Sequence, residues 1–181
     1  MLLNEQEMLE KWALLRHCTD LRNDVVLSRP AGSPDIDIMR EEMKAWYFHL
    51  LATAQPEILH ISQIYNAVSL IPTSAPGLYF ITLPEEFLRL IDLDVETSAG
   101  RRRVKVIESN SREAVLQNNP RTMAGPHCPV AFRPVAGDST MLLFDNDRRA
   151  PKLVSLRAVT TPPEGTYPIT EAALSLISPQ I

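Results

Sequence analysis

The chain has 181 residues, 45% of them hydrophobic and 22% charged, with a formal net charge of −4. That length suits one domain, or one domain with a small appendage, and the apolar content is enough for a real core. A mildly acidic chain excludes a protein built mainly to wrap nucleic acid, which would carry a concentrated basic surface.

The first residues, MLLNEQEMLEKW, contain Glu5, Glu7 and Glu10 and no basic stretch ahead of an apolar one, so they do not read as a signal peptide. No apolar run approaches the roughly 18 residues a membrane span needs, so no membrane partner is expected. Two cysteines, Cys18 and Cys128, are too few for a disulfide framework and read as buried free thiols. The 15 prolines against 6 glycines predict stiff, extended connections instead of flexible linkers.

Asn4 with Glu7 three residues on is close to a capping box, and it opens a helix over residues 5–21. Met8, Leu9, Trp12 and Leu15 recur at helical spacing and form its apolar face. Ser33-Pro34-Asp35 starts a second helix, with Met39, Met43, Trp46, Leu50 and Leu51 as its stripe, ending before Pro56. A third helix is expected over residues 56–69, with Ile58, Ile61, Ile64, Tyr65 and Val68 inward, so the two form a helical hairpin.

After the loop 71–77 the pattern changes to strands. Residues 78–82 are β-branched and aromatic. Thr82 and Glu85 suggest a one-turn capping box with Pro84 in its first turn. A half-buried strand follows from Ile91, alternating through Leu93 and Val95. Residues 97–100 form a hairpin loop with Gly100 at a positive φ, and residues 103–108 return with Val104 and Val106 on one face. Ser109 or Ser111 caps a short helix over 112–117. Residues 130–132, 141–144 and 153–159 are three further strands, and 160–168 is an extended tail before a short helix over 170–177. The fold class is α+β: an N-terminal helical region (1–76), a β-rich region (77–159) with a small, mostly antiparallel sheet, and a Pro-rich C-terminal tail (160–181).

No motif of catalysis stands out. The glycines never fall in phosphate-loop order, and neither G-x-S-x-G nor H-E-x-x-H occurs. His17-Cys18 and His127-Cys128 have formal Cys2His2 content without zinc-ligand spacing. His49 and His60 lie beside apolar helix faces and read as partly buried, satisfied histidines. Asp145-x-Asp147 lacks the later residues of a calcium loop and reads as a charged turn. No catalytic, cofactor or metal site is therefore expected. The one basic run, Arg101-Arg102-Arg103, is a candidate contact for nucleic acid.

Residues 79–90, YFITLPEEFLRL, carry a resemblance. An aromatic strand leading into L-P-x-[DE]-[FC]-L-R-L and then a hairpin is similar to the head–tail adaptor proteins of tailed bacteriophages, including those of short-tailed phages and the neck-ring proteins of crAss-like gut phages. Arg103-x-Lys105, Gln117-Asn118-Asn119, residues 121–125 and Pro129-Val130 extend the resemblance, which covers residues 45–144. It implies a structural virion protein and not an enzyme. It also implies a homo-oligomeric, dodecameric ring in the neck of the virion, made in the host cytoplasm, whose partners are its own copies, the portal and other neck or tail proteins. DNA would pass through the channel without sequence-specific binding. Leu83, Pro84, Glu85, Phe87 and Arg89 would form a structural turn or interface element, which orients the hairpin. The long C-terminal helix common in such adaptors is ruled out here by Pro162, Pro163, Pro168 and Pro179. Two other classes stay open on the residues alone. One is a small α+β enzyme or ligand-binding domain using the loops 118–127 and 145–149. The other is a DNA-packaging accessory using Arg101–Arg103.

Overall fold

A computed structural model describes residues 1–16, 34–59, 62–63, 68–119, 121–134, 138–147 and 149–177. The elements up to the hairpin are β1 (Leu2–Asn4), α1 (Glu5–Arg16), α2 (Pro34–Thr53), a 3-10 turn (Pro56–Ile58), β2 (Ser62–Gln63), β3 (Leu70–Pro72), β4 (Leu78–Thr82) and β5 (Phe87–Thr97). Then come β6 (Gly100–Arg103), β7 (Lys105–Ile107), α3 (Arg112–Gln117), β8 (Val130–Phe132), β9 (Thr140–Phe144), β10 (Lys152–Thr160), β11 (Thr166–Pro168) and α4 (Glu171–Leu174). The class is α+β, with mostly antiparallel sheets. The chain separates into two compact units, residues 1–60 with 162–181, and residues 61–161.

In the first unit the capping box at α1 is complete. Asn4 Oδ1 accepts from the Glu7 N–H at 2.9 Å, and Glu7 Oε2 accepts from the Asn4 N–H at 2.9 Å. Met8, Leu9, Trp12 and Ala13 are buried, while Leu14 is exposed. Residues 17–21 of the expected first helix lie outside the described residues, with His17 and Cys18. On α2 the buried row is Met43, Tyr47, Leu50 and Leu51. Tyr47, not Trp46, holds the centre of that stripe: its ring meets the Tyr167 ring edge-on at 5.0 Å, and its hydroxyl donates to the Pro168 carbonyl at 2.9 Å. Burial, and then the neighbouring Tyr167, pushes the Tyr47 hydroxyl well above the ordinary tyrosine range.

The expected third helix and the expected burial of His49 both fail here. The third helix stops after one 3-10 turn, because Leu59 is already extended at φ −100°, ψ 155° and Ser62–Gln63 is a strand. Among the described residues there is thus no helical hairpin; His60, Ile61, Ile64 and Tyr65 lie outside them. His49 is exposed, not partly buried. The segment after residue 161 is held in place. Its strand β11 pairs antiparallel with β1, Leu3 opposite Tyr167, and the Ile169 N–H donates to the Met1 carbonyl at 2.9 Å. Thr170 caps α4, accepting from the Ala173 N–H at 3.1 Å and donating to the Ile58 carbonyl at 2.6 Å.

The second unit is two sheets sharing one core. One has the order β2-β10-β5-β6 and the other β3-β4-β9-β8-β7, in which only β7 and β8 run parallel. Ile81, Leu93, Val95, Ala131, Leu143, Leu156 and Ala158 are sealed between them. On the outer side of the five-stranded sheet, Ile107, Val130 and Phe132 pack under Ala114 of α3. Ser111 caps that helix, and Glu113 reaches Lys105 at 2.8 Å.

The strand β5 begins at Phe87, four residues before the expected start. Its core residues are Phe87, Leu90, Leu93 and Val95, spaced three, three and two. Pairing with β10 skips at Leu88 and at Ile91, and each bulged residue shifts the inward parity by one. That spacing imitates a helical turn in the sequence. The return after the hairpin is likewise two strands. Residues 100–103 pair with β5, Val104 is buried at the crossing with its N–H on the Leu93 carbonyl, and Lys105 onward joins the other sheet.

Candidate functional site

The sequence-derived turn is a link between the two sheets. Leu83 follows β4, with its N–H on the Ser139 carbonyl at 2.8 Å, and its side chain is buried. The Phe87 N–H donates to the Pro84 carbonyl at 3.0 Å, closing a β-turn over Pro84-Glu85-Glu86-Phe87 in place of the expected capping box. Glu85 and Glu86 point to solvent, whereas Phe87 enters the shared core. Arg89 is half-buried on β5 opposite Val159, and burial lowers the pKa of its guanidinium. Among these residues the apolar ones serve packing, and the acids present no shared cleft.

The Arg101–Arg103 run lies on an outer strand of its sheet and is exposed throughout. The hairpin turn at Ser98-Ala99, with Gly100 at φ 88°, sets Thr97 opposite Gly100 and Asp94 opposite Arg103. Strand alternation then puts Arg101 and Arg103 on the same outer face as Asp92 and Asp94, and Arg157 of β10, opposite Asp92, joins them. Asp94 Oδ2 accepts from Arg101 Nε at 3.0 Å and from its Nη2; Asp94 Oδ1 lies 3.5 Å from Arg103 Nε. Asp92 Oδ2 takes Arg103 Nη2 at 3.4 Å and Arg157 Nη1 at 3.2 Å.

The result is a ladder of three arginines against two aspartates. The carboxylate side chains are only 11% exposed, whereas Arg101, Arg103 and Arg157 are 63%, 69% and 46% exposed. Arg102 faces the other way, opposite Val95. Asp92, Asp94 and Arg157 were not picked out in the sequence. The signal was there: a two-residue hairpin turn at 98–99 brings Asp94 against Arg103 by register alone.

The loops 118–127 and 145–149 do meet, through the Asn146 N–H and the Ala124 carbonyl at 2.7 Å. They do not make a reactive pair. His127 is exposed, whereas the Asp145 side chain is sealed from solvent. Cys128 is exposed and not buried as expected, because it sits in a turn whose N–H bonds the Gly125 carbonyl at 3.0 Å. Among the described residues no group of three or more His, Cys, Asp or Glu could hold a metal ion, and no helix is long and apolar enough to cross a membrane.

No protein-family model matches the chain, and no curated protein matches it.

Proposed function

We propose that the chain is a structural subunit of a tailed-phage head–tail connector, assembling as a dodecameric ring against the portal in the neck of the virion, and that it is not an enzyme. The observation that carries this reading is the use made of residues 79–90, the stretch of resemblance. Tyr79, Ile81, Leu83, Phe87 and Leu90 all enter the core where the chain passes from one sheet to the other. The motif therefore specifies a crossing and the direction of the hairpin behind it, which is a framework role. The charge ladder supports the same reading. Its arginines are held by Asp92 and Asp94, so a face turned toward passing DNA would carry little unbalanced positive charge to grip phosphates.

Electron microscopy and light scattering of the purified protein, alone and mixed with portal rings from its own phage, test the proposal. A closed ring stacked on the portal is the expected result. A strict monomer that ignores the portal refutes it. The rival reading as a DNA-packaging accessory needs the arginines free for phosphate, and the ladder argues against that.

A further inference from the structure

The inward row of β9 is Met141 and Leu143, and Asp145, the first residue past the strand, continues that alternation with a carboxyl where an apolar side chain is called for. Asp145 is 0% exposed, and neither carboxyl oxygen has a hydrogen-bond partner among the described residues. Burying the ionised carboxylate there costs far more than burying the neutral acid. The backbone around it is closed tightly. The Asp145 N–H donates to the Gly77 carbonyl at 2.8 Å, and a Cβ on Gly77 would stand 2.9 Å from Asn146 Cα. Two residues on, Asp147 Oδ2 accepts from the Ser98 N–H at 3.1 Å, and Thr97 Oγ1 donates to the Pro126 carbonyl at 2.8 Å. The tip of the arginine hairpin is thus tied by Asp147 to the segment that carries the buried acid, and by Thr97 to the adjoining loop.

We infer that Asp145 is a proton-operated latch: protonated, it lets residues 145–147 close and hold the β5–β6 hairpin tip, and ionised, it loosens that joint. Of the groups facing it among the described residues, Asp147 lies on its own segment and the Tyr79 phenol comes from β4. The adjoining loop meets the next residue, Asn146, through the Ala124 carbonyl, and the hairpin tip meets Asp147 through the Ser98 N–H; neither Ala124 nor Ser98 ionises. Burial first, and the negative Asp147 second, raise the Asp145 carboxyl from 3.8 to about 6. A folded-state pKa above the unfolded one favours the closed joint at low pH and disfavours it as pH rises through about 6. The latch stands whether or not the connector reading does.

The test is amide exchange at Ser98–Gly100, corrected for intrinsic pH dependence, together with carbon NMR titration of the Asp145 carboxyl. Between pH 5 and 8 the opening equilibrium should rise about tenfold in the native chain. Asp145→Asn should abolish the rise, and Asp147→Asn should shrink it without removing it, because burial is the larger cause. A carboxyl midpoint in the ordinary aspartate range, or an undiminished rise in Asp145→Asn, overturns the latch. So does restored protection at pH 8 on adding calcium, which would make the acid pair a cation site. If Asp145→Asn fails to fold, the carboxyl titration of the native chain decides alone.

Discussion

The charge ladder on the hairpin gives a quantitative prediction. Replacing both carboxylates by amides, Asp92→Asn with Asp94→Asn, keeps an oxygen in place for each guanidinium but removes two negative charges. The five side chains then change from three positive against two negative to three positive alone. Each uncompensated cation that contacts a phosphate adds about 0.9 to the slope of log affinity against log salt, so the variant's slope for duplex DNA should steepen by about 1.8. Over a fourfold change in salt, that slope difference amounts to about a twelvefold difference in affinity loss. The stability loss should be small, roughly 1–2 kcal/mol over the four bridges, since the arginines are about half to two-thirds exposed and such pairs contribute little each. Fluorescence anisotropy on a short labelled duplex at several salt concentrations measures the slope, and urea unfolding measures the stability. An unchanged slope in a folded variant would show that Asp92 and Asp94 do not hold the arginines back from phosphate. A native chain already as steep as the variant would show the same.

Other substitutions probe the framework. Gly77→Ala places a Cβ at a φ of 76° and 2.9 Å from Asn146 Cα, so unfolding should shift by roughly 2–4 kcal/mol; a shift below that of an exposed control glycine would refute the close approach. Pro84→Gly frees the crossing between the sheets and should cost about 1–2 kcal/mol and weaken assembly, whereas unchanged stability and assembly state would mean that the turn matters little. Thr170→Ala removes both the α4 cap and the bond to Ile58, for a loss of about 1–2 kcal/mol in thermal unfolding, and Thr170→Ser should recover most of it.

Features that depend on neighbours a few residues apart were legible in the sequence. Asn4 and Glu7 form the expected capping box, Ser111 caps its short helix, and Gly100 takes the positive φ at the hairpin. The start and end of α2 also agree with the expected span, because its proline signals act locally. Of the candidate site, the basic run was visible as three consecutive arginines. The pairing of that run with Asp92 and Asp94 follows from the hairpin register and is also local; only the addition of Arg157 is not, because it lies far along the chain and reaches Asp92 through sheet pairing.

What tertiary structure alone decided has a common physical cause. The bulges at Leu88 and Ile91 are stabilised by the partner strand and by the core that Phe87, Leu90 and Leu93 fill, so the spacing of those three carries no local mark that separates a bulged strand from a helical turn. Val104 divides one expected strand between two sheets, and β11 finds its hydrogen bonds on β1 from the opposite end of the chain. The residues around Leu83-Pro84 show both sides. Their sequence dictates a break after β4, since proline cannot continue the ladder and restricts the residue before it. That the break is a passage between sheets, with Leu83 and Phe87 meeting in one core, follows only from the strands on either side of it.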